Sequence, residues 1–396
     1  MKILTINSGS SSLKVGLYEM GVTENLVLSG ALSRIGLRTG AFQIHNSSGK
    51  PLADEHADLP DHETALKKLF DWLETHEPGN RSDAVGHRVV HGGSRYKQPQ
   101  LITPSLIADL RELVPFAPDH LPHEIKAILA TQQYDPDLVQ VACFDTAFHQ
   151  SMPRLAQIYA LPRHYQREGM VRYGFHGLSY EYILQELRKE AGDEAADGQL
   201  IIAHLGNGAS MAAVRQGKSV DTTMGFTPAG GLVMSTRSGD VDPGLLVYLL
   251  EEKNLRPSAI NDLVNRYAGL LGVSGISSDM KDLLDQEERE PHAREAVDLF
   301  CYQASKYLGA LAAVLGGIDT LIFTAGIGAN SPSVRQRICQ NLSFLGIHLD
   351  AARNASNAAI ISLPEGPVTV RVMRTDEDLM IARHTFTLIQ KKNSSV

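Results

Sequence analysis

Apolar and polar residues alternate near the start of the chain in a pattern that predicts a strand, a short turn and a second strand within residues 2–19. The apolar run KILTI is followed by the small polar segment NSGSSS and then by LKVGLYE. The same order of features recurs after residue 200, where IIAHL leads into GNGAS and another apolar run. The repetition indicates two domains of similar topology.

Further buried strands are predicted where apolar residues run without interruption. One such run spans residues 138–144 and is followed directly by Asp145. Because ligands of open α/β sheets bind at the carboxyl ends of strands, Asp145 is a candidate metal-binding or catalytic residue. Another run, 319–323, ends in TAGIGANSP, whose glycines precede a predicted helix and suit a nucleotide.

Helices and loops place several histidines. Apolar residues recur on one helical face of residues 63–76, which predicts a core helix. Residues 116–123, FAPDHLPH, contain two prolines and predict a loop that carries His120. His176 lies between glycines ahead of another helix, and the final residues, KKNSSV, predict a disordered tail.

Composition narrows the class of protein. A chain of 396 residues exceeds what one hydrophobic core usually supports, which predicts two domains. The net charge of −8 gives no sign of the basic surface that binds nucleic acids, so we do not expect a nucleic-acid partner. The three widely spaced cysteines favour free thiols in a reducing compartment. Without a signal core or a long apolar run, we expect a cytoplasmic protein that neither crosses nor binds a membrane.

Charged residues in unusual settings suggest an anion site. The glycine-rich loop 224–243 carries Arg237, whose planar fork can bind a phosphate or a carboxylate through two hydrogen bonds. Arg88 interrupts an apolar strand, so it belongs either to a structural ion pair or to an anion site. The acidic run 376–378 is placed to reach a cation.

Two common nucleotide motifs are absent from the sequence. RQGKS resembles the end of a P-loop, but Ala212 stands where the first glycine is required, and neither GNGASM nor GIGANS completes the pattern GxGxxG. The remaining small-residue turns, arginines and acids suit phosphoryl transfer by positioning and charge neutralisation.

A series of short motifs, in order along nearly the whole chain, resembles the acetate kinase family of short-chain carboxylate kinases. The motifs are INSGSSSLK (6–14), GHRVVHGG (86–93), FDTAFH (144–149), GFHG (174–177), HLGNGAS (204–210), MGFTP (224–228), TRSGDVDP (236–243), FTAGIG (323–328) and DEDLMIA (376–382).

The resemblance implies an α/β protein with two duplicated ribonuclease H-like domains of the actin, Hsp70 and sugar kinase superfamily, with an ATP cleft between them. It implies an N-terminal domain of residues 1–149 and 380–396 and a C-terminal nucleotide-binding domain of residues 150–379. The implied reaction is reversible, in-line phosphoryl transfer between ATP and acetate or a related carboxylate, giving ADP and an acyl phosphate. Mg²⁺ or Mn²⁺ and a homodimer are implied as well.

The resemblance also assigns roles to individual residues. Those expected in catalysis are Arg88, His120, Asp145, His176 and Arg237. Those expected to bind the acid are Arg88, Val90, Phe175 and Pro228. Those expected to bind the nucleotide are Ser10, Ser12, Lys14, His204, Gly206, Asn207, Gly208, Asp279, Gly326 and Ile327. Those expected to bind the metal are Asn7, Asp145 and Glu377.

The implied chemistry agrees with the residue types. A carboxylate is ionised at neutral pH, so it needs no general base, and the barrier lies in bringing two anions together. Two arginines and a magnesium ion would lower that barrier by neutralising negative charge.

The chain departs from the family pattern at a few positions. Asp119 stands where the family usually has a leucine of the acetate pocket. At an effective dielectric of about 20, a carboxylate about 5 Å from the substrate carboxylate costs roughly 3 kcal/mol. Either Asp119 points away or the natural substrate is another acid, such as propionate or a hydroxy acid. Ala329, Gly230 and Lys281 are further departures, on the nucleotide side.

Two other functions fit parts of the pattern. A sugar or polyol kinase of the same superfamily would use an acid such as Asp145 as a base toward a hydroxyl, but it would make poor use of Arg88 and Arg237. An ATP-driven clamp like Hsp70 would hydrolyse ATP slowly and without response to small carboxylates.

Overall fold

The computed structural model describes residues 1–9 and 11–394. It divides into two compact units, which we call unit 1 (Met1–Ala147 and Asp376–Val396) and unit 2 (Phe148–Thr375). No helix among the described residues is both long enough and apolar enough to span a membrane.

The strands are β1 (Lys2–Ser8), β2 (Ser12–Met20), β3 (Glu24–Ser33), β4 (Gly40–Asn46), β5 (Pro51–Ala57), β6 (Ala84–Val89), β7 (Gln100–Leu101), β8 (Val139–Phe144), β9 (Gln199–Leu205), β10 (Ala209–Arg215), β11 (Lys218–Thr222), β12 (Thr320–Thr324) and β13 (Thr369–Val372). The helices are α1 (His62–His76), α2 (Pro104–Glu112), α3 (Leu121–Tyr134), α4 (Arg154–Gln157), α5 (Arg163–Arg167), α6 (Gly177–Asp197), α7 (Pro243–Glu251), α8 (Pro257–Asp262), α9 (Gly269–Ser274), α10 (Met280–Gln286), α11 (Pro291–Leu315), α12 (Ala325–Asn330), α13 (Pro332–Cys339), α14 (Ala351–Ala355) and α15 (Glu377–Asn393).

The two units repeat one sheet topology. The sheet of unit 1 has the order β5-β4-β3-β2-β1-β6-β8-β7, and that of unit 2 has the order β11-β10-β9-β12-β13. In both, a first strand pairs antiparallel with the second and parallel with a later strand, which in turn pairs parallel with one more. The predicted duplication is therefore confirmed, although the two sequences share little beyond the pattern of apolar strands and polar turns.

Buried central strands place the functional residues at their carboxyl ends. Ile3, Leu4 and Ile6 of β1 are almost fully buried, as are the apolar residues of β12, so both strands form the middle of a core. The polar segments that follow these strands therefore lie at the edge of each sheet where ligands of α/β proteins bind.

Helix α15 packs closely on the sheet of unit 1. A Cβ atom on Gly86 of β6 would lie 2.5 Å from Cγ2 of Ile381, so only glycine permits this approach. The contact brings the start of α15, with Glu377, next to the end of β6, with Arg88. Residues far apart in sequence thereby meet within one unit.

Three sequence-based expectations differ from the structure. Helix α3 begins at Leu121, because Pro122 lies in its first turn, where the missing N–H costs nothing. The glycines of TAGIGANSP precede α13, which begins at Pro332 as predicted, but they also lie within a further short helix, α12, that was not predicted. The segment KKNSSV is not all tail, since α15 continues to Asn393.

Candidate active site

Arg88 is the centre of a polar cluster in unit 1. Its Nε and Nη2 atoms donate to Oδ2 of Asp145, at 3.0 and 2.5 Å, and its Nη1 donates to Oδ1 of Asn7 at 3.1 Å. Oε2 of Glu377 lies 3.8 Å from Nε of Arg88 and accepts from Nδ2 of Asn7 at 3.4 Å. The fold thus brings four predicted site residues together from β1, β6, the end of β8 and the start of α15.

The opposite charges in this cluster favour the ionised form of Arg88. The Asp145 side chain is fully buried, and that of Arg88 is 17% exposed. Burial alone would lower the pKa of Arg88, but the negative charges of Asp145 and Glu377 raise it above its usual value. Arg88 is therefore permanently cationic and has its orientation set by Asp145.

The unused N–H groups of Arg88 define what it can bind. A guanidinium carries five N–H groups, and three of those of Arg88 are used by Asp145 and Asn7. One N–H remains on each of the two terminal nitrogens, and two N–H groups of a guanidinium can bind a planar carboxylate or a phosphate through two hydrogen bonds.

The neighbouring residues supply oxygen donors for a cation. Asn7, Asp145 and Glu377 each offer side-chain oxygen atoms, the ligands that magnesium prefers. Oδ1 of Asp378 is buried and has no hydrogen-bond partner among the described residues. Burial and the carboxylates of Asp376 and Glu377 raise the pKa of Asp378 to about 7. This crowding of acids fits a divalent cation, which would relieve it.

Among residues 1–9 and 11–394, no group of three or more histidine, cysteine, aspartate or glutamate side chains is arranged to hold a metal ion.

The turn between β1 and β2 holds the first set of residues expected to face phosphate. Gly9 N–H donates to the carbonyl of Ser12 at 2.8 Å and closes the turn. His62 holds it from outside, since its Nε2 donates to the carbonyl of Gly9 at 2.7 Å. Lys14 is exposed on β2, directly opposite Asn7. Ser10 lies outside the described residues.

The acceptor side of unit 1 follows β6. Val90 is buried, and its backbone N–H donates to Oε2 of Glu124 at 3.0 Å. His120 and Asp119 lie just before α3 and are half-buried. His123, in the first turn of α3, is close enough to Asp119 to be influenced by its charge. The structure therefore places Asp119 among histidines of the loop.

Two stacked histidines mark the site in unit 2. His176 and His204 have ring centroids 4.1 Å apart and planes inclined by 17°. Nδ1 of His176 lies 2.8 Å from Oγ of Ser210, and Nδ1 of His204 lies 2.9 Å from Oγ of Ser179. Each ring therefore uses its Nδ1 atom within the protein.

His176 adopts a backbone conformation that non-glycine residues rarely take. Its φ is 61°, in the left-handed region, at the residue that precedes α6. Such a conformation costs about 1 to 3 kcal/mol and is found mostly where a site requires it.

The turn after β9 brings His176 and Arg237 to one glycine. A Cβ atom on Gly208 would lie 3.3 Å from Nε2 of His176 and 3.4 Å from Nη1 of Arg237. Glycine thus leaves space where these two donors converge. The adjacent Asn207 is held by Ser235, whose N–H donates to the Asn207 carbonyl at 3.1 Å. The arrangement suits an anion held by side chains and backbone together.

Residues expected near the acyl group lie in the same unit. Nη1 of Arg237 donates to the carbonyl of Pro228 at 3.3 Å, so the MGFTP segment and the arginine are directly connected. Phe175 is buried, and its carbonyl accepts from Nε2 of His149 at 3.0 Å. Pro228 thus contacts the catalytic candidate Arg237, and Phe175 directly precedes the candidate His176.

The residues expected to contact the nucleoside follow β12 and precede α10. Gly326 and Ile327 lie in α12, and a Cβ atom on Gly206 would be 3.9 Å from the backbone nitrogen of Gly326. The turn after β9 and helix α12 are therefore neighbours. Asp279 is the N-cap of α10 and accepts from the backbone N–H groups of Lys281 and Asp282.

Sequence reasoning missed two buried charged residues beside the site. Glu124 supports Val90, and Arg335 of α13 donates to the carbonyl of Gly328 in α12 at 2.8 Å. Both stand in amphipathic helical segments, where a charged residue normally indicates a solvated face. No pattern in the sequence distinguishes them from surface residues.

Comparisons with known proteins agree over the whole chain. The model of the Acetokinase family matches residues 2–383. The acetate kinase of Rhodopseudomonas palustris (strain TIE-1) is 47% identical over 394 residues, which span 98% of this chain and 98% of that protein. The crystal structure of Porphyromonas gingivalis acetate kinase has a TM-score of 0.89 at 39% identity and covers 98% of this chain and 99% of that one. That of a propionate kinase from Francisella tularensis subsp. tularensis SCHU S4 has a TM-score of 0.91 at 32% identity, with coverage of 97% and 98%.

Proposed function

The chain belongs to the Acetokinase family, and from this premise we propose that it catalyses reversible phosphoryl transfer from ATP to acetate or a related short-chain carboxylate. The observation that carries the proposal is the orientation of Arg88. Its buried pair with Asp145 leaves one N–H on each terminal nitrogen for an anion. A carboxylate acceptor matches this fork, whereas the hydroxyl of a sugar does not.

The bond changes follow from the substrate. The ionised carboxylate attacks the terminal phosphorus in line, a new carboxyl oxygen–phosphorus bond forms, and the bond to the oxygen of ADP breaks. Because the acceptor is already an anion, no residue needs to remove a proton. Arg88 holds the carboxylate, and Arg237 and His176 stabilise negative charge on the transferring phosphoryl group, with His120 as a further donor.

The nucleotide and its cation use the remaining residues. We assign phosphate contacts to Ser10, Ser12, Lys14 and the turn from His204 to Gly208, and nucleoside contacts to Asp279, Gly326 and Ile327. Asn7, Asp145 and Glu377 would hold Mg²⁺, which supplies charge neutralisation on the phosphates when it is bound. The acidic surroundings of Asp378 support this assignment.

The preferred acid is part of the proposal. Val90, Phe175 and Pro228 would enclose the acyl group. Asp119 lies one residue before His120 and carries a charge felt by His123. It favours an acid with a polar substituent or a longer chain over acetate itself, and a hydroxy acid or propionate is therefore the alternative substrate.

We propose a homodimer that forms through helix α7. Leu245, Val247 and Tyr248 are each about half exposed, and every residue of α7 is at least partly exposed to solvent. An apolar helix of this kind is typical of an interface. The three cysteines are buried free thiols, which supports a reducing, cytoplasmic location.

A hydroxylamine trapping assay tests the proposed reaction. With ATP, Mg²⁺ and acetate, propionate or a hydroxy acid, we expect a hydroxamate, because only an acyl phosphate gives this product. A sugar kinase would phosphorylate a sugar and form ADP, and it would yield no hydroxamate. The absence of hydroxamate with every C2 to C4 acid would contradict the proposal.

A further inference from the structure

Arg335 is completely buried in unit 2 and is held by neutral groups alone. From α13, its Nε donates to Oδ1 of Asn354 at 2.8 Å and its Nη1 to the carbonyl of Gly328 at 2.8 Å. Its Nη2 donates to the carbonyl of Asn354 at 2.9 Å and to Oδ1 of Asn357 at 2.6 Å. One guanidinium thereby connects α12, α13 and α14.

The charge of Arg335 has no acidic partner among the described residues. All four of its acceptors are carbonyl oxygens. Burial lowers the pKa of Arg335 to about 10, so the group is still charged at neutral pH. A buried charge without a counter-charge is costly, and apolar residues would pack the same space at lower cost. Arg335 therefore indicates that the three helices need directed hydrogen bonds to hold their relative positions, which apolar packing does not supply.

The helix that Arg335 holds starts in an unfavourable conformation. Ala325, the first residue of α12, has φ 65°, in the left-handed region. Such a residue persists only when its surroundings restrain it. The position of a Cβ atom on Gly206 lies 3.5 Å from Cβ of Ala325, so any shift of α12 would also displace it from the turn after β9.

From these contacts we infer that Arg335 is a positioning residue for the nucleoside: through the Gly328 carbonyl it holds α12 in the conformation that binds adenosine. The inference rests on the proposed function, because that function assigns Gly326 and Ile327 to the nucleoside. It adds a residue that does not itself touch the ligand and that acts through the backbone of α12.

Arg337 provides a matched control on the same helix. Its side chain is 26% exposed and pairs with Glu287 at 2.6 Å and with Asp298 at 3.1 Å. It is an arginine of equal size two residues away, and both of its ion-pair partners lie outside α12. Arg337→Gln therefore reports the effect of losing a helix α13 arginine without loosening α12.

The test compares Arg335→Lys and Arg335→Gln with Arg337→Gln by equilibrium binding of ADP and by competition with adenosine. We expect both Arg335 variants to raise the Kd of ADP and of adenosine by the same factor, about tenfold or more. The KM for the acyl phosphate at saturating ADP should stay within about twofold, as should every value for Arg337→Gln. A general loss of structure would impair the KM for the acyl phosphate as well as the Kd values of ADP and adenosine.

Asn357→Gly serves where the larger changes prevent folding. Asn357 has φ 51°, which glycine adopts readily, so the substitution removes one acceptor of Arg335 with little backbone cost. A rise of about two- to fivefold in both Kd values is expected.

Three outcomes would overturn the role of Arg335. These are unchanged ADP affinity in the folded variants, weaker ADP binding with unchanged adenosine binding, and equal losses in the Arg337 control. If the unaltered protein binds ADP normally and any of these three outcomes is observed, only the positioning role of Arg335 is contradicted. Failure of the unaltered protein to bind ADP would instead contradict the proposed function.

Discussion

The imidazole of His204 stacks on that of His176, and Oγ of Ser210 lies 2.8 Å from Nδ1 of His176. Together these contacts direct Nε2 of His176 toward Gly208 and Arg237. His204 therefore helps to keep the ring of His176 in one orientation.

Replacing His176 and replacing His204 should both lower kcat, but by different amounts. Removing one donor to a transition state typically costs about 10²- to 10³-fold, and we expect a loss of this size for His176→Ala. His204→Ala removes the stacking partner and should cost roughly ten- to a hundredfold, with a smaller change in the KM for the carboxylate. Ser179→Ala, which removes only the hydroxyl beside His204, is the control. A His204→Ala enzyme with normal kcat would refute the positioning role.

The pair of Arg88 and Asp145 should be essential for both stability and activity. Arg88→Gln removes the guanidinium that pairs with the fully buried Asp145, and breaking a buried pair in this way typically costs about 3 to 5 kcal/mol. The double variant Arg88→Gln with Asp145→Asn should regain much of that free energy of unfolding but no activity. Denaturant unfolding and kcat/KM measure the two effects separately.

Arg81 and Asp135 form the comparison pair at the surface of unit 1, where the arginine side chain is 82% exposed. Exposed pairs contribute little to stability, so Arg81→Gln should leave the free energy of unfolding almost unchanged. Equal costs for Arg81→Gln and Arg88→Gln would contradict the account of the buried cluster.

Glu124 should make stability depend on pH. Burial raises the pKa of Glu124 to about 8 in the folded protein, whereas an unfolded glutamate ionises near its ordinary value. Between about pH 4.5 and 8 the unfolded state therefore releases a proton that the folded state retains, and stability falls as pH rises. Glu124→Gln cannot ionise, so it should be more stable than the parent by about 2 to 4 kcal/mol at pH 8.5.

The advantage of Glu124→Gln should disappear by pH 4. Thermal unfolding at both pH values measures it, and Glu112→Gln, an exposed glutamate of α2, should change Tm little at either pH. A Tm difference for Glu124→Gln that is the same at pH 4 and pH 8.5 would show that Glu124 is ionised in the folded protein.

Asp119→Leu should shift the choice of acid toward acetate. A carboxylate about 5 Å from the substrate carboxylate costs roughly 3 kcal/mol at an effective dielectric of about 20, or about a hundredfold in KM. Hydroxamate formation from acetate, propionate and hydroxy acids by the parent and by Asp119→Leu measures this effect. A parent enzyme that clearly prefers acetate to the other acids would rule out a role for Asp119 in specificity.

Charge on α7 should separate the proposed dimer. Leu245→Glu and Val247→Glu place a carboxylate in the apolar face, and sedimentation should then show a monomer at concentrations where the parent is dimeric. Val22→Glu, at a fully exposed valine of unit 1, is the control. An unchanged sedimentation coefficient for both α7 variants would exclude this helix as the interface.

Arg88 shows how far sequence reasoning reaches in this fold. A charge inside an apolar strand indicates an ion pair or an anion site, and Asp145, at the end of another buried strand, is predicted separately as a metal-binding or catalytic residue. Both positions follow from strand periodicity, and the structure places them in one ion pair. The repeated strand–turn–strand pattern likewise indicates the duplicated sheets before any coordinates are known.

The misses have physical causes. Proline in FAPDHLPH predicts a loop, yet a helix accepts Pro122 in its first turn. Glu124 and Arg335 have the spacing of solvated helix residues, and only the packing of neighbouring segments buries them. The roles of the individual site residues rest on the resemblance to the family, and the proximity of Asn7, Arg88 and Glu377 depends on contacts across the whole of unit 1.

Unit 1 is assembled from both the early and the late parts of the chain, with α15 packed on β6 through Gly86. During synthesis, Arg88 and Asp145 leave the ribosome long before Glu377 does. Unit 2, a continuous stretch, can fold in the interval, whereas the Arg88 cluster of unit 1 is complete only when α15 packs on the sheet. A nascent chain arrested before α15 would therefore hold an Arg88 cluster that lacks Glu377.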